Sequence, residues 1–545
     1  MSTKTAEKTP LAKKKVNKTN KIVQGMMCTV FKDLFLFLRG YLDIVIDLVF
    51  SFIWEGSKKK IPDLEKNHFM LTESAVSLAA KIKRKELKSE TLVQACIERI
   101  QSVNAILNAV TDERFEDALK EAREIDSKIA EGVPDDYFKD KPFLGVPFTC
   151  KESHAVKDMR HTLGLLCRRQ SRADYDAECV RLLRFAGAIP VAVTNVPEIN
   201  KWQETRNNVF GQTNNPYHCG RTTGGSSGGE AALAAALASP ISLCSDIGGS
   251  TRMPAFFCGL FGLNPTAGYT SLKGSTLRTG EHPTIASISF VSKHVEDLAP
   301  LTAVVAADKA EQLQLNRQVD IKEIKFFYVE SCKDIRVSPI TRDLKDVMRR
   351  VVQNLTESCP TEHAPRPFRH PVLEHMSSLW RYWMSLEADS FPRQLTNNKG
   401  KANGILELLK KLVGKSPYTL AAILKLLDEQ VLPQVKARWA EDATADLTEE
   451  LNNVLGSDGV LLFPSAPHPA PYHYSLYLRP YNFAYWGIFN ALKFPSIQVP
   501  LGLNDYGIPI GIQVAAAPKQ EALCLAVARY LEKEFGGYIP PCIIR

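Results

Sequence analysis

The chain has 545 residues, 45% hydrophobic and 23% charged, a balance that gives an ordinary globular protein ample core. Its net charge is +8, but residues 1–24 hold seven lysines against Glu7 alone, so the rest is near neutral, and no aromatics interleave with basic clusters; a nucleic-acid enzyme is excluded. Twelve cysteines without a CxxC pair or His/Cys ligand spacing exclude a disulfide framework and a zinc site, and read as reduced, mostly buried thiols.

Residues 1–25 are Lys-rich and polar, and are expected to form a disordered tail. Residues 26–56 are mostly Leu, Phe, Val and Ile, interrupted by Lys32, Asp33, Arg39, Asp43 and Asp47. At 100° per residue these five charges fall within about a third of the helix circumference. A crossing helix would bury Arg39, Asp43 and Asp47 at roughly +3 kcal/mol each, against about fourteen apolar residues at roughly −0.5 each. The balance favours a helix lying in a membrane interface over one that crosses, so the segment is either an interfacial helix or a single N-terminal anchor. A buried amphipathic core helix is the alternative. Lysines at 13–15 and 58–60 suit anionic headgroups on either flank and leave topology open. A cleaved signal peptide is not expected, because the polar leader is long and no small-residue site follows Trp54.

Residues 65–545 read as one α/β domain. Helices fill 71–131, with Thr72 and Ser89 as N-caps and Gly132 as a stop. Leu144 to Cys150 is a strand ending at Lys151, Glu178 to Phe185 a helix, and Ile189 to Thr194 another strand. Alternating strands and helices imply a sheet with chemistry at strand ends. Residues 335–455 break that rhythm as a helical insertion, with Lys325 to Val329 the strand before it. Ile405 to Val413 and Tyr418 to Leu427 form a Leu-rich helical pair, either packed on the core or facing a membrane. Ile497 to Pro500 and Ile510 to Ala515 are strands, and Gln520 to Phe535 a closing helix.

The chain is organised around residues 220–268. Two small-residue loops, Gly224-Gly225-Ser226-Ser227-Gly228-Gly229 and Ile247-Gly248-Gly249-Ser250, flank an Ala-rich helix over Glu230 to Ala238 and a short strand over Ile241 to Cys244. Glycines let backbone approach a ligand closely, and successive N–H groups in such loops can converge on an anionic oxygen. Upstream, Gly145-Val146-Pro147 leads to Lys151, with Ser226 75 residues further on and Ser250 another 24 beyond that.

These residues resemble the amidase signature family of serine hydrolases, in particular its fatty-acid amide hydrolase branch, over most of the chain after residue 70. The resemblance implies a central twisted mixed β-sheet surrounded by α-helices. It implies Ser250 as the acyl-forming nucleophile, Ser226 as the serine that relays its proton, and Lys151 as the base. It implies an oxyanion hole from the N–H groups of Ile247, Gly248, Gly249 and Ser250, and a supporting shell of Ser227, Asp246 and Arg252. The Gly225–Ser226 peptide is expected to be cis. Lys151 must be neutral to accept a proton, and burial among Val146, Phe148 and Cys150 would favour that form. No metal or other cofactor is expected. The expected partners are a lipophilic amide, membrane lipids of an intracellular membrane and a second copy of the chain as a homodimer. Because the resemblance begins near residue 70, removing residues 1–60 is expected to leave a competent domain.

Other readings compete. One is a small non-lipid amide as substrate. Another takes Gly224 to Gly228 as the nucleophile elbow of an α/β-hydrolase, with Ser226 attacking and His468 or His473 as base, although the preceding residues are too polar for the required strand. The third is a lipid-binding scaffold that keeps the fold without turnover.

Overall fold

The computed structural model describes residues 10–388 and 390–545, with side chains from Val30 onward. The strands are Val110–Glu113 (β1), Pro147–Lys151 (β2), Ile189–Thr194 (β3), Arg206–Asn207 (β4), Gly211–Gln212 (β5), Ile241–Asp246 (β6) and Phe261–Asn264 (β7). They continue with Ser287–Ser292 (β8), Lys325–Tyr328 (β9), Arg366–Pro367 (β10), Gly459–Pro464 (β11), Ser496–Leu503 (β12) and Pro509–Ala516 (β13). Eleven form one mixed sheet in the order β1-β3-β2-β6-β8-β7-β12-β13-β11-β9-β10, and β4 and β5 pair separately. β2 runs parallel to both β3 and β6, whereas β6–β8, β8–β7 and β7–β12 are antiparallel. β2, β3 and β8 are buried along their whole length, as expected for strands covered on both faces. Helices surround the sheet, among them Gly228–Ala235, Arg252–Phe257, Leu298–Ala306 and Glu521–Phe535.

Two expected caps change. Thr72 donates to Phe69 O, and Ser74 caps the helix Ala75–Lys83 by accepting from Ser77 N at 3.1 Å. Ser89 is the first residue of its helix; the free N–H groups of Ser89 and Glu90 go to the Asp126 carboxylate at 2.8 and 3.0 Å. A carboxylate from another helix also favours the positive end of the helix dipole.

The helix Pro10–Trp54 (α1) starts inside the basic stretch, with proline at the position where a missing N–H costs nothing. Residues 1–9 of the expected tail lie outside the described residues, and from Pro10 the backbone is helical rather than irregular. No helix among the described residues is long and apolar enough to cross a membrane, so the crossing reading is not supported; the charges at 39, 43 and 47 break up the apolar run. Those charges instead dock α1 on the body. Arg479, fully buried, donates to Asp43 Oδ1 at 2.8 Å, to Asp47 Oδ1 at 2.7 Å and to Asp43 O at 2.6 Å. Arg39 donates to Leu478 O at 2.8 Å, Lys333 pairs with Asp33 at 3.0 Å, and Lys32 pairs with Glu374. Trp54 stacks on Tyr474, and Ile61 and Leu64 belong to the main core. The body thus leans on this segment, from which Asp43 and Asp47 satisfy a buried cation. The opposite face of α1, including Val30, Phe31, Ile44 and Phe52, is exposed.

The Leu-rich pair forms the helices Gly404–Leu412 and Leu420–Gln430. It divides its apolar residues. Ile423 and Leu426 are buried in the core, whereas Leu409, Leu412 and Val413 are exposed.

Candidate active site

Lys151 closes β2, the strand between β3 and β6, and is fully buried. Strand side chains alternate, so Val146, Phe148 and Cys150 share the face away from Lys151. Its dry surroundings come from the other side, where the helix Gly228–Ala235 packs and Glu230 accepts from Thr149 Oγ1 at 2.6 Å and Thr194 Oγ1 at 2.7 Å. Burial holds the Lys151 ammonium down to about 8, against an ordinary 10.5. Burial likewise pushes Glu230 up to about 7. Lys151 Nζ donates to Ser226 Oγ at 2.7 Å and lies 3.2 Å from Ser245 Oγ.

The Gly225–Ser226 peptide is cis, as expected. The two loops are stitched together: Ser227 N donates to Ser250 O at 3.1 Å, which brings the Ser226 segment beside the Ile247–Ser250 loop. Asp246 ends β6 and organises that loop. It accepts Gly249 N at 2.7 Å and Thr251 N at 3.1 Å, and pairs with Arg252 through two contacts of 3.0 and 3.1 Å. Both partners are fully buried. Burial alone would raise the Asp246 carboxyl; Arg252 and the loop N–H groups outweigh it and hold it below its ordinary value. Arg252 is itself completed by Gln513 at 2.9 Å, Asn490 at 2.7 Å and Trp486 O at 3.1 Å.

The expected oxyanion donors separate. The Gly249 N–H is committed to Asp246, so it serves the loop's shape. Ile247, Gly248 and Ser250 line the cavity described below. Both glycines are demanded by close packing: a Cβ on Gly249, whose φ is +103°, would meet Trp486 at 2.4 Å, and one on Gly248 would meet Trp380 at 2.8 Å. The Trp380 indole donates to Ile247 O at 2.8 Å and so fixes the loop from outside.

Ser250 stands where two cavities meet. One, of about 420 Å³, is walled by Trp202, Met253, Trp380, Leu424, Leu427, Val431, Tyr481 and Phe483. The other is small and polar, and holds Lys151, Ser226, Ser245 and Arg278. Trp380, Asn490 and Gln513 were missed in the sequence because each reaches the site from a distant segment without a local motif, and Ser245, next to Asp246 on β6, was missed because a serine inside a strand carries no motif of its own. The histidine alternative is not supported. His473 is buried against Cys219 O at 3.0 Å, burial pushes its ring down to about 3, and His468 lies beside Asp43 of α1. No cluster of three or more metal-ligating side chains occurs among the described residues.

Comparison with known proteins agrees with this geometry. The sequence model of the amidase family matches residues 91–525. Fatty-acid amide hydrolase 2 of Homo sapiens is 39% identical over 487 residues, 87% of this chain and 91% of that protein. Fatty-acid amide hydrolase 2-B of Danio rerio is 38% identical, over 91% of this chain and 96% of its own. Among solved structures, 6-aminohexanoate cyclic dimer hydrolase superposes with a TM-score of 0.68 at 23% identity, covering 85% of this chain and 97% of that one, which establishes the shared fold. The chain belongs to the amidase family, and its chemistry is the hydrolysis of an amide bond.

Proposed function

We propose that the protein cleaves lipophilic, fatty-acyl amides at a membrane surface through Ser250, Ser226 and Lys151. The observation that carries this reading is the aromatic and aliphatic cavity of about 420 Å³ that ends at Ser250. Its volume lies within the roughly 300–1,000 Å³ of small-molecule sites. The likeness to fatty-acid amide hydrolase 2 proteins supports the same substrate class.

In this mechanism neutral Lys151 takes the Ser226 hydroxyl proton as Ser226 takes that of Ser250. Ser250 Oγ adds to the amide carbon, and the oxyanion meets the N–H groups of Ile247, Gly248 and Ser250. The proton returns from Lys151 through Ser226 to the amide nitrogen, the C–N bond breaks, and the amine leaves. Water then repeats the sequence on the ester at Ser250 and releases the acid. Asp246, Arg252 and Ser227 hold the two loops in register.

The charged face of α1 docks on the body and its apolar face is open, as suits a helix lying in an interface. α1 packs on the turn Ser475–Leu478, and the following Pro480 and Tyr481 wall the cavity, so substrate would enter beside the helix. Association with an intracellular membrane and pairing with a second copy belong to the same proposal. A panel of oleamide, N-oleoylethanolamine and glutamine tests it: the two lipid amides should be turned over in preference to glutamine. Preference for glutamine would overturn it.

A further inference from the structure

The wall between the two cavities carries a cation that the triad does not use. Lys201 lines both cavities, as do Asn200, Ile247 and Ser250, so it stands in the same throat as the nucleophile. Among the described residues its ammonium has no carboxylate within ion-pair distance, and the hydrogen-bond partner of Nζ is the Met384 sulfur, at 3.7 Å. A thioether is a weak acceptor, so this cation keeps hydrogen-bonding capacity for a ligand in the throat, with the Glu387 carboxylate acting on it only through space. Burial lowers the Lys201 ammonium to about 8, which still leaves it mostly charged at neutral pH.

The backbone that delivers Lys201 is built for the purpose. Ile199 and Asn200 have φ of +51° and +59°, a region that a β-branched residue such as Ile199 rarely enters. Such strain persists only where the surroundings impose it. Here Ile199 N donates to Leu163 O at 3.0 Å and its side chain is buried with Leu163 and Leu165. Glu198 accepts Thr419 N at 2.9 Å and the Thr419 hydroxyl, which ties the turn to the helix Leu420–Gln430 that also walls the larger cavity.

We infer that Lys201 binds a carboxylate on the amine side of the substrate, so that N-acyl amino acids are a preferred class. The charge must lie near the scissile bond, because Lys201 shares the throat with Ser250, while the wide cavity takes the acyl chain. Hydrolysis breaks the C–N bond, passes the acyl group to Ser250 and then to water, and releases the amino acid with its carboxylate unchanged. This inference rests on the lipophilic-amide reading for the acyl half only.

The test compares N-oleoylglycine with N-oleoylethanolamine, which differ at one carbon, on wild type, Lys201→Met and Lys201→Arg. A charged hydrogen bond contributes about 1.5–3 kcal/mol, so the glycine/ethanolamide ratio of kcat/KM should favour the glycine conjugate in wild type and fall about tenfold or more in Lys201→Met. Lys201→Arg should keep the preference. Equal labelling of all three proteins by a fluorophosphonate probe shows that each site is folded. An unchanged ratio in Lys201→Met, or equal loss on both substrates, would overturn the inference. A matched butyryl pair separates the two claims: if short chains react as well as long ones, the lipophilic reading fails while the ratio still tests Lys201.

Discussion

Asp43→Ala removes one carboxylate from the interface between α1 and the body, and its cost follows from the geometry. Arg479 has no exposed surface; of its three contacts at 2.6–2.8 Å the variant removes the one to Asp43 Oδ1 and leaves those to Asp47 Oδ1 and to the Asp43 main-chain oxygen. Breaking a buried ion pair from one side costs about 3–5 kcal/mol, because the remaining charge has lost its partner out of reach of water. Asp47 stays in contact but is partly solvated, so the lower end of that range applies. Burial raises the Asp43 carboxyl, but His468 at 3.8 Å and Arg479 outweigh it and bring it to about 2 from 3.8. A depressed carboxyl contributes stability above its unfolded value of 3.8, and loses it as pH falls through about 2. The difference between Asp43→Ala and wild type in thermal unfolding should therefore be full at neutral pH and shrink below pH 4. The double change Asp43→Ala, Arg479→Met should recover much of the loss, because no charge is then left stranded. Activity should fall with stability, since Pro480 and Tyr481, next to Arg479, wall the cavity. A loss below about 1 kcal/mol, the range of exposed pairs, or a double variant no better than the single, would refute the reasoning.

The other expectations concern chemistry and location. Ser250→Ala should abolish labelling by a fluorophosphonate; continued labelling of a serine at the wild-type rate would move the nucleophile elsewhere. Wild-type activity should rise with pH through a midpoint near 8 as the Lys151 ammonium becomes neutral, and Lys201→Met should keep that limb. Lys151→Ala should slow amide hydrolysis more than hydrolysis of the matched ester, because an amine needs a proton to leave; equal losses contradict the relay. In liposome flotation, Phe52→Asp combined with Leu409→Asp and Leu412→Asp should reduce binding, since all three side chains are exposed, whereas aspartate at Ile423 would damage the core.

The local elements of the candidate site were legible in the sequence. Glycine-serine loops, a strand ending in lysine and an Ala-rich helix are set by residues adjacent in the chain, and the structure brings Lys151, Ser226 and Ser250 to one throat as those motifs imply. The periodicity of α1 also gathered its charges on one side. What periodicity could not decide was what that side faces, because a charged stripe suits water, headgroups or a buried arginine equally well. Arg479 lies more than 430 residues from its carboxylates, and only the folded chain brings them together. The same holds for Trp380 on the Ile247–Ser250 loop and for Asn490 and Gln513 around Arg252. The Gly249 N–H belongs with them: the sequence placed it among inward donors, and Asp246 claims it. Short-range pattern thus determined which local elements carry the candidate groups, while long-range packing decided which of those groups are dry and which are paired.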